Sequence, residues 1–466
     1  MNRGENAAVP GGVAATALNG KWALVLLVAV GTCSAIDRLA VAIMGPAIAA
    51  DLNLSDFQLG LMSGFGFAVV YLLFGLPLAR MADRGNRVGL IAISVAIWSL
   101  FLILCSGVRN FAHLMICKAV ISVGEVGVQP AAVSLVSDLY PRHRRGTALG
   151  ILALGVPVGT AIGSTAGGYL AEVYGWRTAL FILGIPGLVL AVLFYATLRE
   201  PRRGECQPTT AKNQPPPLST VYRLLAVKRS FWHLIIAVAV ISIAVFGIGV
   251  FLPVYFTRVV GLGLGQTGVL NGIVGAVSTI GYFSGGVAVD RLRQRDERWH
   301  AWFAAIGVAV GAPFYMLAFH IMDPILATVL LTIGGATMFL YYTPVHLMLQ
   351  SMVEARMRAT VAFIFFFASG LVGAGLGPSL VGLISDTVAA RAFSGGDFAA
   401  LCGAGVMTAP SVECGKATVH GLRVALTAVS FFFLWAFLHL LWASRTLQQD
   451  FVFTPPLGKA AASGGL

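Results

Sequence analysis

Long apolar segments alternate with short polar connections along nearly the whole chain. Twelve of these segments reach about 20 residues, the length that a helix needs to cross a hydrocarbon core of about 30 Å. Because they lack the two-residue alternation of barrel strands, we predict helices. The predicted spans are residues 22–50, 58–79, 88–107, 112–139, 147–172, 177–198, 231–257, 266–289, 300–320, 324–350, 359–384 and 420–443.

The composition indicates a polytopic membrane protein. Hydrophobic residues make up 58% of the chain and charged residues 11%, whereas a soluble domain carries about 25% charged residues. The net charge of +12 could indicate nucleic-acid binding, but Lys and Arg concentrate in the connections after the even-numbered spans. Basic connections face the cytoplasm. We therefore predict no nucleic-acid partner and a bacterial inner-membrane protein with both termini cytoplasmic.

The longest basic connection separates two groups of six spans. It contains three consecutive prolines, residues 215–217, which is typical of a linker. Residues 218–228 could form a short amphipathic helix on the membrane surface. The predicted organisation is a cytoplasmic tail (1–21), a first bundle (22–198), the linker (199–230), a second bundle (231–443) and a second cytoplasmic tail (444–466).

The two halves echo each other. Residues 79–87, after the second span, correspond to residues 286–291 after the eighth, and residues 141–145, after the fourth, correspond to 354–358 after the tenth. Small and basic residues that merely mark helix ends would explain either match alone, but poorly explain both in register. Repeats in a twelve-span chain predict two related bundles around a central cavity.

The connection after the second span resembles the signature loop of the major facilitator superfamily. It carries Asp83, Arg84 and Arg87, and departs from the family by having Ala79 in place of the usual Gly. The resemblance implies an all-α fold of twelve transmembrane helices in two pseudo-symmetric six-helix bundles. It also implies alternating access and a gate on the cytoplasmic side. The gate residues are Asp83, Arg84, Arg87, Arg145, Asp290, Arg291 and Arg358.

Glycines form a smooth face on the fifth span. Gly155, Gly159, Gly163 and Gly167 recur every fourth residue, which permits close contact with a partner helix. In the eleventh span, Gly373 and Gly377 precede Pro378. The family resemblance implies that such faces meet across the two halves, where the bundles rock against each other.

Ionisable residues lie in the middle of two spans. Asp37 and Arg38 interrupt the first span, and the fourth carries Lys118, Ser122, Glu125 and Gln129 on one helical face. A charge at the bilayer centre costs about 2.5–3.5 kcal/mol even on lenient scales, so these groups must face protein or a watery cavity. Counting about 1.5 Å per residue puts Asp37 and Glu125 at similar depth. We predict a neutral cluster of Asp37, Arg38, Lys118 and Glu125.

The cluster has two interpretations. Adjacent helical residues diverge by about 100°, so one arrangement has Arg38 reaching Glu125 while Asp37 turns to the cavity or to Lys118. A permanent ion-pair network would only fix the first span against the fourth. A functional cluster would exchange a proton at Asp37 or Glu125 as the transporter changes state, while Arg38 or Lys118 binds an anionic head group. The sequence leaves open which carboxylate carries the proton.

The chain more specifically resembles the Spinster family of lysolipid and sphingolipid transporters. Lys118 stands where that family usually has Arg, and Ser122 replaces a Gly; Lys loses the two-pronged donor geometry suited to a phosphate or carboxylate. Organic-acid transporters of the anion:cation symporter family share many of these elements and are the alternative. The motifs are Asp37-Arg38, Ser55-x-x-Gln58-x-Gly60, residues 83–87, Gly124-Glu125, residues 175–177, residues 375–378 and Gly382-x-x-Ser385-Asp386.

The remaining predictions concern the second half and the kind of protein. Tyr341, Tyr342 and His346 in the tenth span could contact substrate, although packing is the commoner role of such residues. Cys402 and Cys414, in the last outer loop, could form a disulfide or stay as thiols. We find no hydrolase, metalloprotease or nucleotide-binding motif.

These observations predict a gradient-driven transporter that is not an enzyme and has no cofactor or metal. The partners would be a lysolipid or organic anion, protons and membrane lipids, and the protein would be a monomer. A non-transporting receptor on the same scaffold is the alternative from another class.

Overall fold

The computed structural model describes residues 10–201, 218–292, 296–354, 357–402 and 411–451. These ranges are helical almost throughout and contain no strand. Within them, the side chains of Asp83, Arg84 and Asp290 lie outside the description, so three predicted gate residues do too. Residues 202–217, most of the predicted linker, also lie outside it.

The first half contains seven helices joined by short connections, and one π-helical turn. They are α1 (Pro10–Asp51), α2 (Asp56–Gly60), a π-helix (Leu61–Phe65), α3 (Gly66–Arg84), α4 (Arg87–Cys105), α5 (Phe111–Leu139), α6 (Arg142–Ala153) and α7 (Gly155–Thr197). Side-chain caps explain several starts: Asn86 accepts from Gly89 N at 2.8 Å, and Asn110 accepts from His113 N at 2.9 Å.

The second half is built in the same way. Its helices are α8 (Leu218–Ala226), α9 (Arg229–Arg258), α10 (Leu264–Leu292), α11 (Trp299–Ala318), α12 (Pro324–Met338), a 3₁₀ turn (Phe339–Tyr341), α13 (Tyr342–Ser351), α14 (Arg358–Phe367), a π-helix (Ala368–Ala374), α15 (Gly375–Ala392), α16 (Phe398–Cys402) and α17 (Val412–Asp450). The helix predicted at residues 218–228 is present as α8. Its apolar face buries Val221 and Leu225 completely.

Eleven continuous apolar helices in the described ranges are long enough to cross a membrane. The longest, Arg144–Thr197, includes the turn at Leu154 between α6 and α7 and has 54 residues. At about 1.5 Å per residue its path is about 81 Å long, more than twice the hydrocarbon core. Gly175 divides it, because its φ of 79° and ψ of 155° are not helical. The structure therefore provides the twelve predicted spans, the fifth and sixth meeting at Gly175.

Helix ends extend beyond several of the predicted spans, most clearly at the first and the last. The first helix begins at Pro10 rather than at residue 22, and the last runs from Val412 to Asp450 rather than from 420 to 443. Apolar length sets the membrane segment, whereas backbone hydrogen bonding continues the helix through polar residues. The predicted domain boundaries stay predictions.

Two sides of the protein are used below. The proximal side holds both ends of the described chain and the connections near residues 85, 140, 200 and 354. The distal side holds the connections near residues 53, 108, 175, 261 and 321 and the loop before α17.

The glycine faces pack within each half, which corrects the prediction that they meet across the halves. A side chain at Gly159 or Gly163 would meet Thr32, Ala35 or Ile36 of the first span, and one at Gly373 would meet Ser242 of the seventh. The four-residue spacing specifies a helix–helix seam but not its partner. The repeat relates these two seams: the contact of the first span with the fifth in one half corresponds to the contact of the seventh span with the eleventh in the other.

Candidate functional site

The predicted charge cluster lies at the middle of the first and fourth spans. Glu125 is 14 residues from either end of α5 (Phe111–Leu139), and Asp37 is 14 residues before the end of α1 at Asp51. Both are therefore about 21 Å along the helix from the distal side. Gly124 packs its backbone against Ser94 and Trp98 of the third span, which turns the neighbouring Glu125 away from that packed face.

The predicted contact between Arg38 and Glu125 is present. Arg38 Nη2 donates to Glu125 Oε2 at 2.8 Å. The Glu125 side chain is 7% exposed and that of Arg38 is 54% exposed. The pair therefore joins a buried carboxylate to a guanidinium that remains accessible.

Asp37 is the most buried member of the cluster, with 4% exposure. Glu125, Lys118 and Arg38 all lie near enough for their charges to act on its carboxylate, and the fully buried indole of Trp98 lies beside it. The Trp98 N–H nevertheless makes no hydrogen bond of normal geometry within the described structure. Asp37 is thus shielded from solvent in this conformation, and within the described structure it forms no ion pair with Lys118.

The other polar residues of the fourth span behave differently. Ser122 is buried, and its hydroxyl donates to the carbonyl of Lys118 at 2.8 Å. Gln129 is exposed and Lys118 half-buried. The predicted polar stripe thus runs from the half-buried Lys118, on the distal side of Glu125, to the exposed Gln129 on its proximal side.

Tyr341, Tyr342 and His346 belong to an aromatic cluster in the second half. Tyr342 packs edge-on against Tyr282 at 4.7 Å and Phe365 at 5.2 Å between ring centroids. His346 Nε2 lies 2.7 Å from Gln350 Nε2, while its Nδ1 is buried without a described partner. Tyr282 comes from the eighth span and Phe365 from the eleventh, and sequence reasoning missed both.

The proximal clamp consists of Arg87, Asp138 and Glu200, all in the first half. The Arg87 side chain is 1% exposed and contacts Asp138 at 2.5 Å and Glu200 at 2.6 Å. It ties the third span to the ends of the fourth and sixth. Arg145 likewise donates within the half, to the Ser137 carbonyl, and Arg291 and Arg358 are exposed. Among the predicted gate residues whose side chains are described, none bonds to the other half.

A distal latch joins the halves, and the sequence did not predict it. It consists of Asp56 in the second span, Arg258 in the seventh, and Ser385 and Asp386 in the eleventh. The Arg258 guanidinium holds the Asp56 carboxylate through two contacts of 2.7 and 2.8 Å, with side chains 6% and 3% exposed. Ser385 Oγ donates to the same carboxylate at 2.6 Å.

Asp386 completes the latch by capping the second span from the other half. Its carboxylate accepts from the backbone N–H of Phe57 at 2.9 Å and of Asp56 at 3.2 Å, a favoured place for a negative charge. Ser55 and Gln58, on either side of Asp56 and Phe57, form a capping box at the start of the same helix. Two features of the sequence could have indicated the latch: this capping pattern beside Asp56, and the polar pair Ser385 and Asp386 in an apolar span.

All bonds between described residues of opposite halves lie toward the distal side. Besides the latch, Glu172 accepts from Gly265 N, and Asn271 Nδ2 donates to Ser164 Oγ at 3.3 Å. Glycine backbones also meet there: Gly60 contacts Pro378, and Gly168 contacts Leu264. The distal side is therefore closed between the halves.

The last distal loop contains a disulfide between Cys402 and Cys414. This resolves the alternative that the sequence left open. Cys33, Cys105 and Cys117 are free thiols.

Comparisons with known proteins agree with this architecture. Residues 27–378 match the family model of the Major Facilitator Superfamily. The chain is 31% identical over 369 residues to an MFS-type efflux pump of Mycolicibacterium smegmatis, covering 79% of this chain and 85% of the relative. These proteins are transporters rather than enzymes.

Two more distant relatives carry substrate names. The Sphingosine-1-phosphate transporter SPNS2 of Danio rerio is 25% identical over 76% of this chain and 73% of its own. The Hexuronate transporter of Bacillus subtilis is 24% identical over 78% of this chain and 87% of its own.

A crystal structure of a bacterial homolog to the human lysosomal transporter Spinster, inward-facing and unoccupied, superposes with a TM-score of 0.87. It is 27% identical, and the match covers 94% of this chain and 99% of that one.

Proposed function

The chain belongs to the Major Facilitator Superfamily, and we propose that it is a proton-coupled secondary transporter of an anionic, amphiphilic small molecule. It would work by alternating access, with the two halves rocking about the central charge cluster. The observation that carries the proposal is the buried Asp37 beside the Arg38–Glu125 pair, at equal depth in two spans.

Orientation follows from the basic connections. Lys and Arg concentrate in the proximal connections, so the proximal side would be cytoplasmic in a bacterial inner membrane and both termini would lie there. With the distal latch closed, the conformation would be inward-facing. In the opposite state, the predicted gate residues after the second and eighth spans would approach each other. We propose a monomer, since each half already packs against its counterpart.

Coupling would arise from competition for Arg38. The guanidinium is held by Glu125 at 2.8 Å, yet more than half of its side chain is exposed. Protonation of Glu125 would weaken this contact and leave the positive charge available to an anionic head group. Asp37, buried among the same charges, would change its proton affinity when its surroundings change with state. Substrate and proton would then affect each other through one cluster.

The preferred substrate is an amphiphile with an anionic head group. The Spinster-type structural similarity and the sphingosine-1-phosphate name of one relative favour it. The aromatic cluster of Tyr282, Tyr342 and Phe365 would offer an apolar surface for a chain.

A sugar acid is the second candidate. It is favoured by the hexuronate name of another relative and by Lys118, whose point charge suits a carboxylate as well as a phosphate. With either candidate, the anionic group of the substrate would lie beside Arg38 and Lys118.

The test is transport by purified protein in proteoliposomes with an imposed proton gradient. Sphingosine-1-phosphate and a hexuronate are supplied separately, and their flux identifies the substrate class. Asp37→Asn and Glu125→Gln are expected to abolish the dependence of flux on the gradient. Asp51→Asn, at an exposed acidic residue on the distal side of the same half, is the control and should retain it.

Two outcomes would contradict the proposal. Unchanged gradient dependence in both Asp37→Asn and Glu125→Gln would exclude the cluster from coupling. Saturable binding of either probe without accumulation in the vesicles would favour a receptor on the same scaffold over a transporter.

A further inference from the structure

A basic cavity lies at the distal end of the twelfth span, away from the charge cluster. It is an open groove of about 360 Å³ along one helix: all its lining residues, Gly415, Lys416, Val419, His420 and Arg423, belong to α17. Lys416, His420 and Arg423 are spaced four and three apart, so they lie on one helical face. The disulfide between Cys402 and Cys414 anchors the chain directly before this face.

Arg423 stands out on this face because its guanidinium forms no ion pair within the part of the chain that the structure describes. Nε and Nη2 of its guanidinium are buried and have no hydrogen-bond partner among the described residues. Buried polar groups are normally bonded, and a buried unpaired charge is costly. The acidic residues on the same helix, Glu413 and Asp450, lie ten positions earlier and 27 positions later, about 15 and 40 Å along the axis.

Neighbouring elements do not supply an anion either. The Arg423 charge lies near Tyr255 of the seventh span, but the Tyr255 hydroxyl donates to the carbonyls of Ala318 and Ile321. Residues 403–410, between the cysteines, contain no acidic residue in the sequence. Among the described residues, these two guanidinium nitrogens thus have no anionic partner, and an anion from outside the chain would supply one.

The position of the cavity along the helix fits the head-group level of a membrane. α17 has 39 residues, or about 58 Å, and must extend beyond a core of about 30 Å. The uncharged stretch 424–438 begins directly after Arg423. A basic side chain at such a boundary commonly extends its head into water, but here two guanidinium nitrogens are buried beside an open cavity.

We propose that this cavity binds a phosphate group, with Arg423 as the anchor and Lys416 and His420 at the rim. The planar fork of Arg donates two parallel hydrogen bonds to phosphate oxygens, and the neighbouring cations add charge. The phosphate comes either from the head group of an anionic phospholipid in the distal leaflet or from the free ion. The site is separate from the transport cluster and does not depend on the proposed substrate.

The test measures binding to full-length protein in nanodiscs and in detergent. One arm compares phosphatidylcholine nanodiscs with and without phosphatidylglycerol, and counts retained phosphatidylglycerol by native mass spectrometry. The other titrates inorganic phosphate and follows the unfolding temperature. Arg423→Gln is expected to weaken binding at least about tenfold, as is typical when one partner of a buried, hydrogen-bonded charge pair is removed. Retention of phosphatidylglycerol alone identifies the lipid; a response to both identifies the phosphate itself.

Two further variants keep the result interpretable. Lys416→Gln changes an exposed residue and should weaken binding about threefold without affecting folding. Arg391→Gln, at an exposed distal arginine outside the cavity, should leave binding unchanged. Equal binding by the wild type, Arg423→Gln and Lys416→Gln would overturn the proposal, and so would an equal loss in Arg391→Gln.

Discussion

The distal latch and the proximal clamp use similar chemistry for opposite purposes. Each centres on an arginine less than a tenth exposed, Arg258 or Arg87, bonded to carboxylates at 2.5–2.8 Å. The latch joins the two halves, whereas the clamp joins three spans of one half. Under the proposed alternating access, a bond between the halves must break as they rock, but a bond within a half can persist. Position relative to the moving interface, rather than burial, thus separates a conformational switch from a structural brace.

The largest effect is expected from breaking the latch. Arg258→Met leaves the Asp56 carboxylate buried without its counterion only while the distal side is closed. The cost of such an unpaired charge is about 3–5 kcal/mol, which corresponds to a population shift of roughly 10²–10³-fold. Spin labels at the exposed distal positions Asn53 and Arg391, measured by electron–electron resonance, should move to longer distances.

Two variants sharpen this result. Arg177→Met removes a pair with Asp51 that is 40% and 46% exposed and lies within the first half, so the distances should not change. Asp56→Asn combined with Arg258→Met removes both charges and should restore much of the closed population. If the single variant Arg258→Met showed an unchanged distance distribution, the latch would not control the closed state.

A smaller effect, of a different kind, is expected from breaking the clamp. Arg87→Met should lower the free energy of unfolding by about 2–3 kcal/mol, since several hydrogen bonds of a buried guanidinium are lost. This free-energy cost is smaller than the cost of the unpaired Asp56 charge in Arg258→Met, because Asp138 and Glu200 are 21% and 24% exposed and can be hydrated. The measurement is denaturant unfolding in detergent.

The clamp variant should leave the conformational equilibrium alone. The distal spin-label distances in Arg87→Met should match those of the wild type. Arg144→Met, at an exposed arginine on the proximal side, should change neither these distances nor the free energy of unfolding. A shift of the distal distances in Arg87→Met would show that the clamp takes part in switching.

The sequence predicted the parts of this comparison that depend on composition and period. The spans were predicted from the length of the apolar segments. The Arg38–Glu125 contact was predicted from the similar depth of Asp37 and Glu125 in their spans. The partners of the glycine faces could not be derived, because a smooth face fits any helix that offers small residues. Gly159 packs on the first span, while Gly168, on another face, contacts the other half.

The latch escaped prediction for a related reason. Asp56 and Arg258 are 202 residues apart and lie at span ends, where charged residues are ordinary. Only the packing of the second, seventh and eleventh spans identifies them as partners. Arg87 was predicted as a gate residue from its loop, but its bonds to Asp138 and Glu200 depend on where the fourth and sixth spans end.

The smallest effect on stability is expected at the Arg38–Glu125 pair, and it should be asymmetric. Glu125→Gln leaves Arg38, whose side chain is 54% exposed, in contact with solvent, so the change in unfolding free energy should stay within about 1 kcal/mol. Arg38→Gln instead leaves a carboxylate that is 7% exposed without this bond, which costs about 1–3 kcal/mol.

Denaturant unfolding in detergent separates the two variants, because only Arg38→Gln leaves a carboxylate that is 7% exposed without this bond. A pair that acts only as a brace would behave like the clamp, with a large loss in both variants. A small loss for Glu125→Gln together with lost gradient dependence would therefore mark the pair as part of the transport machinery rather than of the scaffold.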